Sequence, residues 1–92
     1  MKRYEVLLSE TAARQLRDLP ADFSDRTRRA LAKLAEDPFR GRPGVDIRRL
    51  RGPRRDYFRL RAGDYRAIYV VVEDRVLVAK VLPRSKAYEW LD

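Results

Sequence analysis

A chain of 92 residues, 45% of them apolar, has room for one packed domain spanning residues 1–92, and its many charged residues coat that domain rather than signal disorder. With no cysteine and no histidine there is no disulfide framework, no thiolate chemistry and no imidazole base. The scattered carboxylates lack the spacing of a hard-cation site, so neither a metal nor a cofactor is expected. The formal charge is +8, and ten arginines against three aspartates place +7 of it between Arg40 and Arg66.

Tyr4, Val6 and Leu8 alternate with Arg3, Glu5 and Leu7, which predicts a first strand of roughly six residues. Ser9 suits an N-cap, and Ala12, Ala13, Leu16 and Leu19 recur at helical spacing until Pro20. A second helix begins near Pro20–Asp22, with Phe23, Ala30, Leu31 and Leu34 as its buried stripe, and Asp37-Pro38 stops it. The two form an antiparallel hairpin that needs a sheet to bury its apolar faces. Arg40–Val45, rich in glycine and proline, reads as a loop.

From Ile47 the period changes to two. Strands are predicted near Ile47–Leu50, Tyr57–Arg61, Tyr65–Val72 and Val76–Leu82, with turns at Gly52-Pro53, Gly63-Asp64 and Asp74-Arg75. Whether Ile47–Leu50 stands as a separate strand is left open. Residues 85–92 suit a short terminal helix or tail bearing Trp90 and Leu91. The order β-α-α-β-β-β gives an α+β fold, two helices against a twisted antiparallel sheet. No apolar run approaches the roughly 18 residues of a membrane span and no secretory signal opens the chain, so the reading is cytoplasmic, without membrane contact.

In Tyr57-Phe-Arg-Leu-Arg, the residues Tyr57, Arg59 and Arg61 share one face, and Phe58 and Leu60 the other. A solvated basic face is the ordinary explanation for two arginines on a strand. With Arg48, Arg49, Arg51, Arg54 and Arg55 beside them, so many guanidinium groups repel one another unless phosphate pairs with them, which points to nucleic acid. Arg66 opens an otherwise apolar strand and is either paired with Asp64 or Glu73 or aimed into a site. Arg84, Lys86 and Tyr88 follow the last strand after Pro83, and an ordinary basic terminus with a packed tyrosine would look the same.

Three stretches carry a resemblance: Leu50-Arg-Gly, then Tyr57-Phe-Arg-Leu-Arg-Ala-Gly-Asp-Tyr-Arg-Ala-Ile-Tyr, then Val81-Leu-Pro-Arg-Ser-Lys-Ala-Tyr. Together with Tyr4–Leu8 and the Leu19-Pro20 break, they make nearly the whole chain resemble the RelE/ParE toxin superfamily, particularly archaeal-type members of its RelE branch. The resemblance implies the toxin of a type II toxin–antitoxin pair, a ribosome-dependent mRNA endonuclease that cuts codons in the decoding site by attack of the RNA's own 2′-hydroxyl. It implies a RelB-like antitoxin partner, with the ribosome and mRNA as targets. By position it makes Arg66 a phosphate-stabilising residue, Arg84 the basic residue of the C-terminal motif, Tyr88 its aromatic and Arg59 a basic strand residue. Arg48, Arg49, Arg51, Arg54, Arg55, Arg61, Lys86 and Tyr57 then contact RNA. Some members carry two lysines where this chain has Tyr57 and Arg59, so either Tyr57, Tyr88 or Lys86 does the proton work or phosphate stabilisation supplies most of the acceleration. Two alternatives remain: a ParE-type gyrase inhibitor on the same scaffold, and a non-catalytic RNA- or ribosome-binding domain.

Overall fold

The computed structural model describes residues 2–91, with side chains through residue 87. β1 (Glu5–Leu8) hands over to α1 (Glu10–Arg17) at Ser9, whose Oγ accepts the Ala12 amide at 3.0 Å and donates to the Ala79 carbonyl at 2.8 Å. One hydroxyl thus caps the helix and ties it to a strand 70 residues away, here named β5 (Arg75–Pro83). Gln15 adds a second tie, its Oε1 accepting the Val81 amide at 2.8 Å. Ala12 and Leu16, four residues apart, are the buried face of α1.

Pro20 precedes α2 (Ala21–Ala32), which tightens into a 3-10 turn at Lys33–Ala35. Its buried stripe is Ser24, Thr27 and Leu31, continued by Leu34, rather than one beginning at Phe23. Ser24 and Thr27 are buried despite their hydroxyls, and Thr27 Oγ1 satisfies itself on the Phe23 carbonyl at 2.8 Å. Phe23 is half-buried and lies against Tyr65, ring centroids 5.4 Å apart.

β2 (Asp46–Leu50), β3 (Tyr57–Ala62), β4 (Tyr65–Val72) and β5 form an antiparallel meander, so Asp46–Leu50 is a strand in its own right. The sheet order is β1-β5-β4-β3-β2, and β1 runs parallel to β5. The strands after the helices are antiparallel as expected, and the parallel pairing of β1 makes the whole sheet mixed. The helical hairpin carries the chain away from β1, and the meander returns beside it in the same direction, which local periodicity does not encode.

One sheet face packs on α1 and α2 through Phe58, Leu60, Ala67, Tyr69, Val76, Val78 and Val81, against Leu16, Leu31 and Leu34. The register of β4 and β5 slips between Ile68 and Tyr69, leaving Ala79 as an extra residue. That bulge keeps both Val78 and Val81 in the core and turns Lys80 to the opposite face. α3 (Arg84–Leu91) follows β5 directly, packs against β5 and β4, and buries Ala87. No helix of the described residues is long and apolar enough to cross a membrane.

Candidate nucleic-acid interface

The strand registers fix what stands on the sheet face turned away from α1 and α2. One row across it is Asp46, Arg61, Arg66 and Leu82, and the next is Arg48, Arg59, Ile68 and Lys80. Beyond these the face becomes apolar, with Leu50, Tyr57, Val70, Leu77 and Leu7. Five cations against the single Asp46 thus occupy one end of the sheet. Arg84 belongs to that end too: its amide donates to the Asp64 carbonyl at 2.9 Å, placing the start of α3 beside the β3–β4 turn.

Arg66 is buried, only 6% exposed, and its Nη1 donates to the carbonyls of Gly63 at 2.8 Å and Tyr65 at 3.0 Å. Its guanidinium is therefore held by the backbone of the turn. Glu73, one of the two acids considered for it, lies at the far end of β4. Gly63 adopts φ +61°, a left-handed geometry that glycine takes at little cost, and this lets the two-residue turn close.

The side chain of Arg59 is 18% exposed, and its Nη2 contacts Asp46 Oδ1 at 3.0 Å. Its Nε is buried with no hydrogen-bond partner among the described residues. An unmet buried donor costs about 1–3 kcal/mol, which an incoming acceptor such as a phosphate oxygen would recover.

The remaining sequence candidates fall elsewhere or at the margin. Arg48 and Arg61 are exposed on the basic rows, Tyr57 is half-buried at their apolar border, and Lys86 is exposed on α3. Arg49 points to the opposite face, where its Nε donates to Asp56 Oδ2 at 2.6 Å. Arg51, Arg54 and Arg55 are exposed on the β2–β3 loop, at the other end of β3 from Arg61. Tyr88, Trp90 and Leu91 lie outside the residues whose side chains are described.

Arg42, within the basic window, is structural: Nη1 donates to the Asp37 and Arg40 carbonyls and Nη2 to that of Lys33. Two residues of the basic rows escaped the sequence reading, Lys80 and Asp46. The strand Val76–Leu82 seemed to put Lys80 on the same side as Val76 and Val78, and only the bulge at Ala79 reverses that.

Chemically, a fixed guanidinium, a second with an unmet donor and several exposed ones suit the binding of a phosphodiester and the charge of a pentacovalent phosphorus. Among the described residues no three His, Cys, Asp or Glu side chains are placed to hold a metal ion. Arginine, with a pKa above about 12, is a poor base, so proton transfer would have to come from a tyrosine or a lysine.

Residues 6–88 match the family described as the ParE toxin of type II toxin–antitoxin system, parDE. The chain belongs to that toxin family. In architecture this toxin is similar to the archaeal RelE–RelB complex from Pyrococcus horikoshii OT3, with 29% identity over 91% of this chain and 98% of that one and a TM-score of 0.77. It is also similar to the toxin–antitoxin complex RelBE2 from Mycobacterium tuberculosis, with 27% identity over 89% and 99% and a TM-score of 0.71. A mutant of the E. coli toxin RelE in the free state shares the fold, at 22% identity over 96% and 90% and a TM-score of 0.64. No curated protein sequence matches the toxin. Fold and family together make it a toxin of the RelE/ParE superfamily.

Proposed function

We propose that this toxin is a ribosome-dependent mRNA endonuclease that acts in the cytoplasm and is neutralised by a cognate RelB-like antitoxin. The observation that carries the reading is the pair of basic rows on one face, with Arg66 fastened to turn carbonyls and Arg59 holding an unmet buried donor. A surface made only to touch a protein has little use for a buried guanidinium fixed in place on a face that carries several other cations.

In this reaction the 2′-oxygen of the RNA attacks the adjacent phosphorus and the bond to the 5′-oxygen breaks, leaving a 2′,3′-cyclic phosphate and a 5′-hydroxyl. Arg66, Arg84 and Arg59 stabilise the charge on the phosphorane oxygens, and Arg48 and Arg61 bind the flanking backbone. Tyr88, on α3, stacks on a base or moves a proton; Tyr57 and Lys86 are the other groups able to take the 2′-hydroxyl proton or protonate the leaving oxygen. Arg49, Arg51, Arg54 and Arg55 contact RNA away from the reacting phosphate. The antitoxin is inferred from the family and from the RelE–RelB complexes among the similar structures. It would bring acidic and apolar side chains to the basic face and displace α3.

One observation favours a second reading. The matched family is named for ParE, which points to gyrase as a target on the same scaffold. Expression in growing cells separates the two. Cyclic-phosphate ends mapped within translated codons, on intact DNA, support the endonuclease; broken DNA with intact mRNA supports the gyrase reading.

A further inference from the structure

The arginines of the β2–β3 loop do not join the basic rows, and what surrounds them is a site of a different kind. The pairing of β3 with β4 stops at Phe58 and Tyr69, while Val70–Val72 run on, paired with β5 alone. Over this overhang the loop leaves a notch of about 370 Å³, floored by Phe58 and Val70–Val72 and walled by Phe39 on one side. Arg49, Arg54 and Arg55 line its rim, with Asp56 already bonded to Arg49. That volume, near the low end of the roughly 300–1,000 Å³ of small-ligand sites, suits a single flat group rather than a folded partner.

Two of its apolar walls are open to solvent: Phe39 is 49% exposed and Val72 39%. Phe39 is nevertheless held, by edge contacts with Tyr4 at 5.9 Å and Phe58 at 5.5 Å between ring centroids. Arg54 and Arg55 have no acidic partner among the described residues. The loop that carries them closes tightly, since a Cβ on Gly52 would stand 2.5 Å from the Arg55 carbonyl. A fixed exposed ring beside unpaired guanidinium groups has the two parts of a single-strand binding site, a platform for one base and cations for the adjoining phosphates.

We infer that this notch is a second, non-catalytic subsite for single-stranded RNA, in which one unstacked base lies on Phe39 while Arg54 and Arg55 pair with flanking phosphates. It sits at the opposite end of β3 from Arg61 and Arg66, so it anchors a strand without touching the reacting phosphate. The inference does not depend on cleavage, and it is tested on free RNA.

The measurement is fluorescence anisotropy of a labelled single-stranded 12-nucleotide RNA, titrated at several salt concentrations. It compares the toxin with Phe39→Leu, with Arg54→Gln/Arg55→Gln, and with Arg48→Gln as a control on the basic rows; far-ultraviolet circular dichroism verifies folding. Phe39→Leu keeps apolar bulk and removes the ring, and it should weaken binding about 5- to 150-fold at an unchanged salt slope. The same oligonucleotide without bases should lose that sensitivity. The double arginine variant should lower the slope of log affinity against log salt by about 1.4, roughly 0.7 for each lost contact on a single strand.

Parent-like affinity in Phe39→Leu, equal weakening on base-free RNA, or an unchanged slope in the double variant overturns the inference. So does a glutamate-rich peptide whose binding depends on Arg54 and Arg55 while RNA binding does not, which would make the notch a protein contact. Failure of the toxin to cut mRNA leaves these outcomes readable, because none of them requires cleavage.

Discussion

Replacing Arg66 tests whether fixed geometry or charge alone drives the reaction. Arg66 is 6% exposed and its Nη1 is held by two carbonyls at 2.8 and 3.0 Å, so little reorganisation is needed as charge develops on a phosphate. Removing one preorganised donor of this kind costs about 10²–10³ in rate, or about 2.7–4 kcal/mol. Arg66→Ala should therefore slow single-turnover cutting of a ribosome-bound message by that factor. Arg66→Lys keeps the charge but replaces the planar guanidinium, whose Nη1 alone meets both carbonyls, with a compact ammonium, and should recover only part of the loss. The carbonyls freed belong to the β3–β4 turn, where Gly63 is half-buried and Asp64 exposed, so water can take Arg66's place. Melting should then fall by only a few degrees, since about 1 kcal/mol corresponds to roughly 4–8 °C in a domain this size. The assay is rapid-quench cutting at saturating toxin, with a melting curve for each variant. Cutting by Arg66→Ala within about threefold of the parent would refute the reasoning.

Asp46→Ala removes the only acid of the basic rows: RNA binding should tighten while cutting slows, because Arg59 loses its 3.0 Å partner, and stability should change by less than about 1 kcal/mol. Binding and cutting that move together would show that Asp46 does not orient Arg59. Tyr69→Phe strips a hydroxyl that donates to the buried Pro38 carbonyl at 2.6 Å and should cost about 1–3 kcal/mol by urea unfolding. Burial, reinforced by Asp37, pushes the Tyr69 phenol well above its ordinary value of 10.0, so its contribution is full below pH 10 and is lost as pH rises. The Phe variant should flatten that alkaline decline, and an unchanged decline would contradict the assignment. The Phe39 amide, with help from the Arg40 amide and the charges of Arg40 and Arg42, holds the Asp37 carboxyl below its ordinary 3.8 against the opposing effect of burial. Its contribution is present above about pH 4 and is lost as pH falls, so Asp37→Asn should show a shallower acid loss of urea midpoint than the parent.

The parts of this protein that were legible from sequence are those written in local periodicity. The alternation in Tyr57–Arg61 sorts Phe58 and Leu60 from Arg59 and Arg61 as the structure does, and the apolar run Tyr65–Val72 has the observed limits of β4. The parallel seam between β1 and β5 was not legible, because it joins residues 70 apart. Nor was Lys80, since one bulged alanine reverses the face that alternation assigns to it. The arginine window read as one cluster because its members are near in sequence. Strand direction separates them: Arg61 and Arg66 meet at one end of the sheet, Arg54 and Arg55 stand at the other, Arg49 turns to the opposite face, and Arg42 is spent on backbone carbonyls.

The central claim is cutting of mRNA in the decoding site by a basic face that works without metal. Primer extension on a defined message in a reconstituted translation reaction, with the same RNA naked in parallel, tests it most directly. Cuts at the occupied decoding site, absent from naked RNA and lost in Arg66→Ala and Arg84→Ala, are the predicted result. An uncut message on translating ribosomes, from a folded sample beside an active control nuclease, would contradict it.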